Sequence, residues 1–180
     1  MIAEEDLVHQ LKQPDTREKA FAVLVNTHKE RLYWHIRRIV MDHDDADDVL
    51  QNTFIKVYRN IEGFKGDSKL YSWMYRIATN ESITFIKQRS KKMGVSDEEL
   101  KNRMIKNLEA DVYFEGDEIQ IKLQKALSTL PDKQKLVFNM KYYQEMKYEE
   151  ISEVLETSVG ALKTSYHLAV KKIEAYLKED

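Results

Sequence analysis

Residues that break helices are nearly missing from this chain, and those present sit where segments meet. Two prolines and five glycines occur in 180 residues. Gly63 and Gly66 flank one short stretch, Gly94 and Gly116 bound a central one, and Gly160 lies near the start of a late periodic run. Long intervals free of such punctuation, carrying apolar residues at three- and four-residue spacing, predict an all-α fold. No cysteine is present, so neither a disulfide framework nor a thiolate metal site is available. The acidic start MIAEEDLVHQ is unlike a signal peptide, and the longest apolar run, Ala20 to Val25, is too short for a membrane span. A cytoplasmic protein is expected.

Asp15 and Glu18, just after Pro14, resemble a capping box opening a helix whose apolar positions run Phe21, Leu24, Val25, His28, Leu32, Ile36 and Ile39. His28 has no second ligand at metal-binding spacing and reads as a helix-face residue. Five aspartates between Asp42 and Asp48 stand at the start of the next helix, where the helix dipole favours acids. The run lacks the glycine and distal glutamate of a calcium loop, so no metal is expected. That helix has a buried stripe of Val49, Leu50, Thr53, Phe54, Val57, Tyr58 and Ile61. Its other face sets Asp48, Gln51, Asn52 and Arg59 around Ile55, an apolar residue ringed by polar ones and suited to anchoring a protein partner.

The segment FKGDSKLYSWMYRIATN, Phe64 to Asn80, joins a basic loop to an aromatic-rich helix. Lys65 and Lys69 supply charge for phosphates, while Phe64, Tyr71, Trp73 and Tyr75 offer flat faces on which an unstacked base can lie. A helical wheel places Leu70, Met74, Ile77, Ala78 and Phe85 on a core stripe. Tyr71 and Tyr75 fall on one shoulder, and Trp73, Arg76 and Asn80 on the other. The net charge of −2 speaks against general DNA affinity, yet from Lys56 to Lys92 nine basic residues face three acidic ones. Weak binding by the protein alone, with one basic face offered when something else holds it, is the expectation.

Residues 93–117 are polar and acidic and read as a flexible, partly helical linker between a first domain at 1–92 and a second at 118–180. Fully extended, the stretch from Lys91 to Asp117 reaches roughly 90 Å. The second domain begins with a helix over Ile119, Leu123, Ala126, Leu127 and Leu130. Pro131 opens the next, which continues through Leu136, Val137 and Met140. KYEEISEVLE and SVGALKTSYHLAVKKIEAYLK then follow with a turn near Glu156 and Thr157, the spacing of a helix-turn-helix. The last helix is predicted to bury Val159, Leu162, Tyr166, Ala169, Val170, Ile173 and Leu177. It turns Gly160, Ala161, Lys163, Thr164, His167, Leu168 and Lys171 outward, toward a DNA groove or toward solvent.

Both halves together resemble the extracytoplasmic-function (ECF) group of bacterial sigma factors. The segments DADDVLQNTF (45–54), FKGDSKLYSWMYRIATN (64–80), LPDKQKLVFNMKYY (130–143) and KYEEISEVLETSVGALKTSYHLAVKKI (147–173) carry the likeness. The resemblance implies that Asp47, Asp48, Gln51, Asn52 and Ile55 face core RNA polymerase. It implies that Phe64, Lys65, Gly66, Asp67, Ser68, Lys69, Tyr71, Trp73, Tyr75, Arg76 and Asn80 read the promoter minus-10 element, capturing a base flipped from the non-template strand. It assigns Lys147, with Gly160, Ala161, Lys163, Thr164, His167, Leu168 and Lys171, to the minus-35 element. Promoter DNA in double- and single-stranded form, core polymerase and an anti-sigma factor are the implied partners, with no cofactor.

This chain departs from the family pattern at three places. Lys163, Ser165 and Leu168 stand on the recognition helix where arginines are common, which removes bidentate donors to guanine. Glu156 occupies a turn position where glycine is frequent. Asn52 replaces a common glutamate. No glycine-rich phosphate loop, HExxH or cysteine nucleophile is visible, so an enzyme is not expected. Two alternatives stay open at this point: a sigma-mimicking adaptor that binds an anti-sigma factor without DNA, and a stand-alone helix-turn-helix regulator.

Overall fold

The computed structural model describes residues 2–110 and 117–179. Among them the order is α1 (Glu4–Lys12), α2 (Arg17–Val40), α3 (His43–Asn60), a single 3-10 turn, α4 (Leu70–Met93), α5 (Asp97–Glu109), α6 (Glu118–Ser128), α7 (Asp132–Phe138) running into a π-helical turn (Asn139–Tyr143), α8 (Tyr148–Leu155) and α9 (Val159–Lys178). No strand occurs among the described residues. The linker residues Asp111–Gly116 lie outside them.

Local chemistry accounts for several helix starts. The Asp42 carboxylate accepts from the Asp45 backbone N–H at 3.0 Å and starts α3. Ser96, Asp117 and Ser158 do the same for α5, α6 and α9, at 3.1, 2.9 and 3.3 Å. α2 begins at Arg17, later than the Asp15 start expected. Thr16 is its N-cap but makes no capping bond, because its hydroxyl donates instead to the Gln10 carbonyl at 2.8 Å. α1, which the sequence reading did not anticipate, packs across α2 and buries Leu11. Glu156 ends α8 in the left-handed region, φ 52°, at the position where glycine would be unstrained.

Helices α2, α3 and α4 pack on one another as the first lobe, and α6, α7, α8 and α9 form the second. Two departures from the sequence expectation matter. The linker holds α5, whose Leu100, Met104 and Leu108 recur every four residues and are buried with Met41 beside Ile86, Val95 and Ile105. An apolar stripe of that kind docks a helix, so this part of the linker is packed here rather than extended. The lobes also share a core. Val137, Met140, Met146, Ile151, Val154 and Leu162 of the second lobe belong to the same buried cluster as Leu32, Ile36, Met74, Tyr75 and Ala78 of the first. A separate second-lobe cluster of Ala126, Leu127, Leu130, Phe138, Ala169 and Ile173 holds α6 and α7 to α9.

Candidate nucleic-acid and polymerase interfaces

The loop from Phe64 to Lys69 turns at Gly66, φ 79°, a conformation that a side chain would strain. It is tied down at both ends. Lys12 Nζ donates to the Phe64 carbonyl at 2.6 Å, and the Leu70 backbone N–H donates to the Glu4 carboxylate at 2.9 Å. Lys65, Gly66, Asp67 and Lys69 are exposed and Ser68 is half-buried. Phe64, expected to present a free face, is buried instead, its ring tilted against Trp73 at 5.2 Å. The apolar ring gains more from that contact than from water.

On α4, Asn80 is exposed, and Tyr71, Trp73 and Arg76 are half-buried. Tyr75 corrects the sequence reading most sharply. Assigned to a shoulder of the helix, it is 1% exposed, and its hydroxyl donates to Gln144 Oε1 at 2.8 Å. Burial pushes its phenol up to about 12, against the opposing pull of Arg31 and Arg38. The neighbouring candidate residues are engaged by the second lobe as well. Lys69 Nζ lies 3.0 Å from Glu150 Oε1, and an Arg76 guanidinium nitrogen lies 2.9 Å from Glu156 Oε1. Burial alone would raise the Glu150 carboxyl. Hydrogen bonds from Tyr71, the Lys147 backbone and Lys69 outweigh it and hold the group below the usual glutamate range.

The outer face of α3 is open. Asp48, Gln51, Asn52 and Ile55 are exposed, with Ile55 46% accessible. Asp47 is half-buried, one carboxylate oxygen 3.6 Å from His43 Nε2. Beside Ile55 runs a shallow groove lined by Glu18, Phe21, Phe54, Tyr58 and Arg59. Phe21 meets Tyr58 and Phe54 edge-on, at 5.0 and 6.2 Å. Phe21, expected in the core stripe, packs against the margin of the core and is half-buried, so it lines the groove as well.

Every residue predicted on the outer face of α9 is exposed: Gly160, Ala161, Lys163, Thr164, His167, Leu168 and Lys171. Lys147, at the N-cap of α8, is exposed too. A Cβ built on Gly160 meets no atom within 4 Å, so packing inside the protein does not demand that glycine. Leu168 is 42% accessible, an apolar group on a polar face and suited to a thymine methyl. No group of three or more potential metal ligands occurs among the described residues. None of the described helices is long and apolar enough to cross a membrane.

A helix-turn-helix with an open outer face, joined to a helical lobe that carries a basic, aromatic-bearing helix, is an arrangement suited to binding DNA. Residues 24–92 match the family model for Sigma-70 region 2, and residues 120–173 match that for Sigma-70, region 4. The ECF RNA polymerase sigma factor SigW of Bacillus subtilis is 30% identical over 180 residues, an alignment spanning 96% of this chain and 95% of SigW. The RNA polymerase sigma-H factor of Pseudomonas aeruginosa is 28% identical, spanning 97% of this chain and 94% of its own. Among solved structures, CnrH bound to the cytosolic domain of CnrY superposes with a TM-score of 0.74 at 23% identity, covering 99% of each chain. RpoE in complex with the anti-sigma factor NepR, from Bartonella quintana, gives 0.68 at 19% identity over 90% of this chain and 99% of its own. Both structural likenesses speak to the fold. The chain belongs to the ECF sigma factors, DNA-binding specificity factors of transcription initiation.

Proposed function

We propose that the α3 face of Asp47, Asp48, Gln51, Asn52 and Ile55 docks on core RNA polymerase, with the Phe21–Tyr58 groove beside it receiving an apolar side chain of the enzyme. The loop from Phe64 to Lys69 and the α4 residues Tyr71, Trp73, Tyr75, Arg76 and Asn80 then read the minus-10 element. The outer face of α9, with Lys147, reads the minus-35 element. Residues 1–92 and 118–180 act as the two reading domains. Polymerase supplies the nucleotide chemistry, so the chain itself is not an enzyme and works in the cytoplasm beside polymerase. An anti-sigma factor is its regulatory partner.

The observation that carries this reading is the conjunction of two sigma regions in family order with a fully exposed α9 face. On that face Lys163 and Lys171 supply point charges, and Thr164 and His167 supply hydrogen-bonding groups. Without arginine forks, the minus-35 contact relies more on phosphates and on Leu168 than on paired guanine contacts. Asn80→Ala tests the minus-10 assignment on a forked promoter with core polymerase. Strand opening falls while polymerase affinity stays within about twofold, because an exposed side chain adds little to folding. Equal loss of opening and polymerase binding would make Asn80 structural.

A further inference from the structure

We propose that the second lobe is a competitive occupant of the first lobe's minus-10 surface, so that the free protein rests in a self-closed state. The inference goes beyond the functional reading and rests on it only for the role of the covered residues. Three of the candidate minus-10 side chains meet second-lobe groups. Lys69 and Arg76 pair with Glu150 and Glu156, and Tyr75 donates to Gln144. From α2, Arg31 adds a 2.9 Å bond to the Gln144 carbonyl.

Two carboxylates thus sit against the cations that would take two phosphates. Glu150 and Glu156 lie at the first turn and the C-cap of α8, about one helix length apart, and each neutralises a different basic group. The apolar part of the contact is continuous with both lobes' cores, and α8 lies along α4. A DNA strand entering this surface must therefore displace α8 before Lys69, Tyr75 and Arg76 become available.

Distance makes the opening obligatory. Promoter elements named minus-10 and minus-35 lie about 25 base pairs, or roughly 85 Å, apart on straight duplex. A compact chain of this length has a radius of gyration of about 16 Å and spans roughly 40 Å. The closed form cannot reach both elements. The outer face of α9 is exposed even in the closed form, so closure silences the minus-10 surface and leaves the minus-35 surface free.

The lack of cysteine allows clean double labelling. Spin labels at Asn26→Cys on α2 and Lys172→Cys on α9, both exposed, report lobe separation in the full-length free protein. A narrow, short distance distribution is expected, and a broad one from the outset would overturn the proposal. The double change Gln144→Arg with Glu156→Lys sets like charge against Arg31 and Arg76. It should lengthen and broaden the distribution while circular dichroism stays helical. It should also raise affinity for a fluorescent oligo-dT strand by about tenfold, through the freed cations. Adding Arg76→Glu, read by distance alone, should draw the lobes partly back. Retention of the short distance by the double variant, or opening without any gain in strand affinity, would contradict the competition.

Discussion

The two candidate DNA-reading surfaces differ in what lies over them. On α9 all seven predicted residues are exposed, whereas on the minus-10 surface Phe64 and Tyr75 are buried and Lys69 and Arg76 are paired across the lobes. The first surface is the solvent side of a helix whose buried side faces one layer of neighbours. The second belongs to a helix packed on two sides, by α2 and α3 within its lobe and by α8 from the other. A surface of the first kind can be altered for recognition with little cost to folding, while one of the second kind couples recognition to stability.

The sharpest contrast comes from truncation. Tyr75→Ala removes a fully buried ring and orphans Gln144, and should cost about 3–5 kcal/mol in chemical denaturation. Leu168→Ala, on the open face, should cost under about 0.5 kcal/mol. Similar losses at both sites would erase the distinction.

Acid should weaken the covered side next. His35, which is fully buried, bonds Thr79 Oγ1 through Nε2 at 2.8 Å and lies 4.9 Å from the Tyr75 ring. Burial, with help from Arg38, pushes its pKa down to about 3. The unfolded chain, with an ordinary histidine near 6.5, binds the proton first, so stability is lost as pH falls from about 6.5 toward 3. At pH 5 the loss from this group is about 2 kcal/mol. Half-buried His28, lowered by desolvation and by Arg31, acts in the same direction. Denaturation of wild type and His35→Gln across pH 7 to 5 should show a shallower slope in the variant; parallel slopes would count against a neutral buried His35.

On the open face, Lys163→Ala should reduce minus-35-dependent initiation about tenfold, through about 1–2 kcal/mol of lost contact, with melting unchanged. Indifference of every promoter would remove α9 from its role. A modest effect on stability is expected at the N-cap of α9, where Ser158→Ala deletes the bond to Ala161 and should cost about 1 kcal/mol, well below the loss at Tyr75.

How far the sequence was legible follows from the same difference. The outer face of α9 was readable because one periodic stripe, Leu162, Ala169 and Ile173, defines its buried side and everything opposite is exposed. The α3 start was readable because Asp42 caps locally. α4 was misread because much of what it buries is polar. Ser72, Thr79 and Ser82 are buried, and the last two return their hydroxyls to the carbonyls of Tyr75 and Ala78 at 2.7 Å. Such back-bonded residues pass through a core without an apolar signature, so a wheel drawn on hydrophobicity made the buried sector too narrow and left Tyr75 at its edge. In α5 the spacing of Leu100, Met104 and Leu108 was present in the sequence, but ten other residues, nearly all polar or charged, masked it. No local rule indicates that α8 lies on α4, because that contact joins residues some eighty positions apart.

Run-off transcription in vitro, with bacterial core RNA polymerase lacking any other specificity subunit, a genomic template and this protein, tests the central assignment most directly. Discrete promoter-specific starts that appear only when the protein is present, and that weaken with Asn80→Ala, are the predicted result. A transcript pattern unchanged by the protein, together with its failure to co-purify with core enzyme, would contradict it.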